Sequence, residues 1–169
     1  MIKVSKISLL YFCIELIYYN KMQKIIKLFL RLSLGIGFLS AVADRLGLWP
    51  TEISSWGTWQ IFLDYTQLLN PWFPSTTIPT VGFIVTAIEV IFAICLVVGF
   101  KTSLFARLSG CLLLIFAFTM LITTGVKGVF DYSVLTASAG AFALSLLKDD
   151  FLEFDKFLLK KQQKYESKN

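Results

Sequence analysis

The residue with the clearest chemical potential is Glu89, which lies near the middle of an otherwise uncharged apolar run, residues 80–100. Lipid does not solvate a charge, so an ionisable side chain in a membrane span usually faces the protein interior and carries a proton, an ion or a ligand. Its helical neighbours at three- or four-residue steps are Gly82, Thr86 and Ala93, a small and partly polar face. We therefore predict that Glu89 points at another helix and is a proton carrier or a ligand contact, with Thr86 as a further candidate ligand-binding residue.

The alternative role for Glu89 is structural, as a buried carboxyl group hydrogen-bonded to a neighbouring helix. An unpaired carboxyl group at that depth is protonated, whereas a nearby cation keeps it ionised. Counting depth from the ends of the spans gives Arg31 and Arg107 as candidate partners, since each lies about one turn inside its span. Both arginines are therefore candidate ligand-binding residues, although long cationic side chains also extend to the membrane interface.

Four further charges collect where the spans end on the opposite side, and we predict that they form an outer polar cluster. They are Asp44, Arg45, Lys127 and Asp131. Lys127 and Asp131 are four residues apart, a spacing that lets them pair on one face of a helix. The alternative interpretation is that these charges do no more than end their helices at the membrane surface.

Several kinds of chemistry are excluded by residues that the chain lacks. It has no histidine, which excludes a His-ligated haem, a His-containing zinc or copper site, and Ser-His-Asp or Cys-His catalysis. Its three cysteines, Cys13, Cys95 and Cys111, form no CxxC pair and are too few to hold an iron–sulfur cluster alone. The sequence therefore predicts no metal site and no evident cofactor, and the chain is not expected to be an enzyme on its own.

The elements that position these residues follow from the composition. Of the 169 residues, 56% are hydrophobic, and the charges lie mostly at the two ends, which is typical of a multi-pass membrane protein. The net charge of +5 does not indicate a nucleic-acid partner, because the lysines flank apolar runs, where they set membrane topology or contact anionic lipid. We predict an all-α fold whose principal partner is the lipid bilayer.

Hydropathy predicts a transmembrane four-helix bundle. The four spans are about 25–46, 80–100, 103–124 and 127–147. The first and fourth carry small residues four apart, which permit close approach of another helix: Ser33, Gly37 and Ala41 in the first, and Ser133, Ala137, Ala141 and Ser145 in the fourth. Lysine and arginine are frequent at both ends of the chain and rare in the loop after the first span, which predicts that both termini are cytoplasmic.

The loop between the first two spans, residues 47–78, contains all four tryptophans. Ser55 caps a predicted short helix that ends at Asn70-Pro71, and its aromatic face indicates an outer interfacial helix at the headgroups or, alternatively, a lid over the bundle. Residues 1–24 are predicted to be a separate N-terminal segment, either interfacial or upstream of a natural start at Met22. Residues 148–169 are predicted to be a basic amphipathic tail along the inner leaflet, or a solvated end.

Three stretches resemble the DoxX family of small four-helix membrane proteins: RLSLGIGFLSAVADRLGLW, ICLVVGFKTSLFARLSG after Glu89, and KGVFDYSVLTASAGAFAL. The resemblance covers roughly residues 30–147, within a DoxX-like membrane domain placed at 25–147. Its pattern is an arginine opening the first span and a glutamate before a Gly-x-x-Thr turn, here Arg31, Glu89, Gly99 and Thr102. One departure is Ala43-Asp44-Arg45 where such proteins often have Gly-Lys, so no role of that lysine is carried over.

The resemblance implies a multi-pass protein of the bacterial cytoplasmic membrane. The family takes its name from subunits of sulfur-oxidising, quinone-reducing complexes, so a quinone is a candidate cofactor and redox-complex subunits are candidate partners. Thiosulfate oxidation itself is not carried over, because a fold does not fix a function. Two other functions remain open: a proton-coupled transporter or solute- or lipid-binding bundle, which would need to form a homo-oligomer, and a structural accessory protein without chemistry.

Overall fold

The computed structural model describes residues 6–147 and 152–154, and this part of the chain is helical with no β-strand. In chain order the helices are α1 (Lys6–Arg45), α2 (Trp59–Leu69), α3 (Ile78–Val98), α4 (Thr102–Thr123), α5 (Val126–Asp131) and α6 (Val134–Leu146), with a 3₁₀ turn at Ser75–Thr77. The predicted amphipathic tail lies outside the described residues, except for residues 152–154. The fold class is all-α.

The first helix is longer than the sequence analysis predicts. α1 runs for 40 residues without a break, which is about 60 Å and about twice the thickness of a bilayer core. No proline or glycine occurs in it before Gly35, so nothing interrupts its backbone hydrogen bonds. The stretch with the length and composition to cross a membrane is Tyr18–Arg45. Residue 24, the predicted boundary of the N-terminal segment, is therefore not a helix boundary.

Among the described residues, three helices are long and apolar enough to cross a membrane: Tyr18–Arg45 within α1, Ser75–Val98, which is α3 with its preceding turn, and α4. α3 and α4 agree with the predicted second and third spans to within about two residues at each end. Pro79 lies in the first turn of α3, where its missing N–H is not needed, and Gly99 ends the helix with a φ of 80°.

The predicted fourth span is not one continuous helix. It is divided into α5 and α6 by Tyr132 and Ser133, and Ser133 has a φ of 53°, a left-handed conformation that is uncommon for serine. α6 has 13 residues and is about 20 Å long, which by itself is too short for a bilayer core. It packs most extensively along α4, where the hydroxyl of Ser138 donates to the carbonyl of Gly110 at 2.9 Å.

The buried core lies where α1 meets α3 and where α4 meets α6. It contains Phe38, Ala93, Leu96, Ala106 and Leu144. α1 also contacts α6, and α3 contacts α4. These contacts fix the relative height of α1 and α3, which decides the partner of Glu89.

The close approach of α1 to α3 occurs at Gly35 and not at the predicted line of small residues. A Cβ at Gly35 would lie 2.6 Å from Cγ2 of Val97 and 3.1 Å from the carbonyl oxygen of Ala93. Gly37, by contrast, is exposed, and a Cβ there would meet nothing within 4 Å. The line of Ser33, Gly37 and Ala41 is therefore not the contact with α3.

We expect Gly35→Ala to lower the free energy of unfolding by about 1–3 kcal/mol, because the added methyl group must displace a backbone carbonyl. Gly37→Ala is the matched control: it lies half a turn away on an open face and gains up to about 1 kcal/mol from helix propensity. Equilibrium unfolding in detergent micelles, followed by circular dichroism, measures both. Equal changes in the two variants would contradict the close contact at Gly35.

Candidate functional site

The buried acid Glu89 is paired with Arg45, the last residue of α1. Nη1 of Arg45 lies 2.7 Å from Oε2 of Glu89, and the two side chains are 3% and 4% exposed. The same nitrogen donates to the hydroxyl of Thr86 at 2.9 Å, and Nε of Arg45 donates to the carbonyl of Ala41 at 3.1 Å. Arg45, Thr86 and Glu89 therefore form one polar unit between α1 and α3.

This partner corrects the prediction that Arg31 or Arg107 pairs with Glu89. The two helices are antiparallel, with Arg31 level with the end of α3 and Arg45 level with Thr86. α3 begins at Ile78, about two turns before Thr86. α1 therefore ends inside the height of α3, and its last residue reaches the depth that the sequence analysis assigned to the middle of the membrane.

An aromatic cover lies over Arg45. The guanidinium carbon is 4.1 Å from the ring centroid of Phe62 on α2 and 5.3 Å from that of Trp56 in the preceding loop. Such stacking on a desolvated guanidinium contributes about 2 kcal/mol. α2 approaches closely because Gly82 has no side chain: a Cβ there would lie 2.6 Å from Cδ2 of Leu63. This packing corresponds to the lid interpretation of the loop helix.

Asp44 holds this cover in place instead of joining the charge pair. Its carboxylate accepts hydrogen bonds from the backbone N–H groups of Ser55 at 3.0 Å and Trp56 at 3.1 Å, and from the hydroxyl of Ser54. Asp44 and Arg45, which are adjacent on α1, thus have separate tasks. Asp44 fixes the loop that carries Trp56, and Arg45 lies under the ring of Trp56 and pairs with Glu89. Ser55, predicted to cap the helix, is bound by Asp44, and the cap of α2 is Thr58.

The carboxylate of Glu89 retains unused capacity to accept a hydrogen bond. Its Oε2 is enclosed and lies 2.7 Å from Nη1 of Arg45, a nitrogen that also donates to the hydroxyl of Thr86. The hydroxyl of Thr86 donates to the carbonyl of Gly82 at 2.8 Å and so has no proton to offer Glu89. A carboxylate oxygen has two lone pairs, so Oε2 can accept a proton or a ligand hydroxyl in addition to its contact with Arg45.

Arg31 belongs to a second polar cluster at the opposite end of α3. It is 1% exposed and donates to the carbonyls of Leu96 at 2.9 Å, Val97 at 3.0 Å and Leu152 at 3.1 Å. These bonds satisfy carbonyls at the C-terminus of α3, where a cation is also favoured by the helix dipole. Beside it, Lys27 pairs with Glu153 at 2.8 Å.

In the described structure, Arg107, Lys127 and Asp131 do not join either cluster. Arg107 is exposed and donates to the carbonyl and hydroxyl of Ser103 on its own helix, at 3.3 and 3.1 Å. Lys127 and Asp131 pair with each other four residues apart on α5, with side chains that are 84% and 56% exposed. The predicted outer cluster is thus divided, since Asp44 and Arg45 are buried and serve the cover and Glu89.

The sequence analysis did not assign Phe62, Lys27 or Glu153 to a site. Phe62 lies within the predicted loop helix, but no sequence signal pairs the aromatic face of that helix with Arg45. Glu153 lies in the predicted tail, and no sequence pattern there predicts its contact with α1.

No family model, curated protein or solved structure matches the chain. Within the part of the chain that the structure describes, no group of three or more His, Cys, Asp or Glu residues is placed to hold a metal ion. The geometry around Glu89 is therefore the basis on which a function can be proposed.

Proposed function

We propose that the chain is a DoxX-type protein of the bacterial cytoplasmic membrane in which Arg45 and Glu89 form a proton-exchange site of a quinone-linked redox complex. The observation that carries this proposal is the buried carboxylate of Glu89, whose Oε2 lies 2.7 Å from Nη1 of Arg45 with both side chains almost fully enclosed. A buried acid inside a membrane span is more often functional than structural.

The residues of the site have complementary tasks in this proposal. Arg45 stabilises the charged form of Glu89, so that the carboxylate can release a proton without entering water. Thr86 accepts from Nη1 of Arg45 at 2.9 Å and thereby fixes the guanidinium. Phe62 and Trp56 exclude water from above. Opening and closing of α2 would give Glu89 access to the outside or to a ligand.

In this proposal a quinone headgroup would use the polar and aromatic groups around Glu89. A bound quinone would supply the electron acceptor and the oxygens that take up protons. N–H groups of Arg45 would donate to one carbonyl, and Oε2 of Glu89 would hold the proton that moves to or from the ring. The cover of Trp56 and Phe62 supplies aromatic surface for a flat ring.

The proposed membrane arrangement has four crossings, with α5 and α6 together forming the fourth. α6 supports this, because it is apolar and packs along α4. Both termini are proposed to be cytoplasmic, on the basis of the lysines and arginines at the two ends of the chain.

The test is the quinone-reduction rate of membranes from a strain that carries Glu89→Gln. We expect the part of the rate that is lost on deletion of the protein to fall at least about a hundredfold in Glu89→Gln, because the amide cannot take up or release a proton as an acid or base. Asp131→Asn is the matched control, an exposed acid whose change leaves the rate unaltered. Unchanged rates at normal protein levels in Glu89→Gln would contradict the proposal.

A second candidate function is a structural one, favoured by the nearly complete enclosure of Arg45 and Glu89. In that case the pair only joins α1 to α3. A protein in which both residues are replaced with apolar ones, Arg45→Met with Glu89→Leu, would then fully complement the deletion strain. A proton-exchange site predicts the opposite, a stable and inactive protein.

A further inference from the structure

A polar groove opens at the end of the helices opposite to the cover, where α3 ends and α4 begins. Its volume is about 610 Å³. The polar residues that line it include Lys101, Thr102, Ser103 and Arg107 from the start of α4, together with Lys27 and Glu153. The proposed function makes no use of this groove.

Among the described residues, those that line the groove have a net positive charge. Nζ of Lys27 lies 2.8 Å from Oε1 of Glu153, and each side chain is 5% exposed. These two charges therefore neutralise each other in the lining of the groove. Lys101 and Arg107 are exposed and lie along the same groove. Two cations at one opening raise the local concentration of anions.

The groove also contains the N-terminus of α4, a helix of 22 residues. The N–H groups of Leu104 and Phe105 bond back to the carbonyl of Lys101, at 2.9 and 3.1 Å. The first N–H groups, those of Thr102 and Ser103, have no partner within the helix, and in the described residues no side chain caps this end. An anion is favoured here by both the N–H groups and the helix dipole.

The hydroxyl of Thr102 independently indicates a ligand. Thr102 is 2% exposed and lines the groove, and its Oγ1 has no hydrogen-bond partner among the described residues. A buried hydroxyl without a partner is unfavourable, and a ligand oxygen at the groove would satisfy it.

Ser103 and Arg107 are already arranged around the same opening. The hydroxyl of Ser103 donates to the carbonyl of Ser145 at 2.7 Å and accepts from Nη2 of Arg107 at 3.1 Å. This contact holds the guanidinium beside the first turn of α4. A guanidinium in that place can bind two oxygens of one phosphate.

We propose that this groove binds a phosphate group, through Lys101, Arg107, the hydroxyl of Thr102 and the first N–H groups of α4. The group belongs either to an anionic lipid headgroup or to free phosphate. Leu104 and Leu146 also line the groove and are exposed, so acyl chains have an apolar surface beside the phosphate site.

The test is native mass spectrometry of the full-length chain released from detergent micelles, with phosphatidylglycerol as the probe. We expect wild-type protein to retain this lipid about tenfold more tightly than Arg107→Gln, Lys101→Gln or Thr102→Val, because each variant loses a contact to the charged group. Thr102→Val removes a hydroxyl that has no hydrogen-bond partner among the described residues, so we expect its thermal stability without lipid not to fall. Lys127→Gln, an exposed cation at the other end, is the matched control.

Two further arms identify the source of the phosphate. Displacement of the lipid by inorganic phosphate at constant ionic strength supports a site for phosphate from either source. Resistance to displacement supports a site for the lipid headgroup. Equal retention by wild type and the three groove variants overturns the proposal, and so does equal retention of a diacylglycerol that lacks the phosphate.

Discussion

Arg45→Met will lower the free energy of unfolding by about 3–5 kcal/mol, because it leaves the carboxyl group of Glu89 buried without its cation. Methionine has a similar apolar length and continues to fill the space under Phe62 and Trp56, so a cavity contributes little. The measurement is equilibrium unfolding in mixed micelles titrated with dodecyl sulfate. Circular dichroism reports the helices, and tryptophan fluorescence reports the cover.

A double-mutant cycle separates the charge pair from the packing around it. Glu89→Leu alone should be destabilising by a similar amount, since it isolates Arg45, whereas Arg45→Met with Glu89→Leu should be close to wild type. Lys127→Met is the matched control: it breaks an ion pair whose lysine is 84% exposed, and it should change stability by no more than about 1 kcal/mol. If Arg45→Met changed the free energy of unfolding as little as Lys127→Met does, this would contradict a stabilising buried pair between Arg45 and Glu89.

The sequence was sufficient to locate α3, α4 and the acid inside α3, because long apolar runs leave little choice of element. It was not sufficient to choose the partner of Glu89. When the depth of a residue is counted from the end of its own span, all spans are taken to begin at one level in the membrane. The structure shows instead that α1 ends about two turns inside the height of α3, since Arg45 bonds to Thr86.

The remaining differences also depend on contacts between residues far apart in the sequence. Gly35 and Gly37 both appear as small residues in one apolar run, and only the rotation of α1 against α3 decides which of them is crowded. The break before α6 depends on Ser133 in a left-handed conformation, a residue type that gives no glycine-like signal. Membrane hydropathy therefore predicts the spans better than the faces and breaks that build the sites.

Arg31→Met is expected to have the second large effect, a loss of about 3–5 kcal/mol of unfolding free energy. Arg31 is 1% exposed, and its removal leaves the carbonyls of Leu96, Val97 and Leu152 without their donor. It also removes one of the two cations near Glu153, whose Oε1 lies 3.8 Å from Nη1 of Arg31. The same dodecyl sulfate titration measures the change.

Two variants decide whether the shape of Arg31 or only its charge matters. Arg31→Lys keeps the charge but not the planar fork that reaches two carbonyls of α3, so it should recover only part of the loss and remain about 1–2 kcal/mol below wild type. Arg107→Met is the matched control, because Arg107 is exposed and bonds only within its own helix turn in the described structure; its effect should stay within about 0.5 kcal/mol. If Arg31→Lys were fully stable, α3 would be held by charge alone. The capping of its last carbonyls would then contribute nothing measurable.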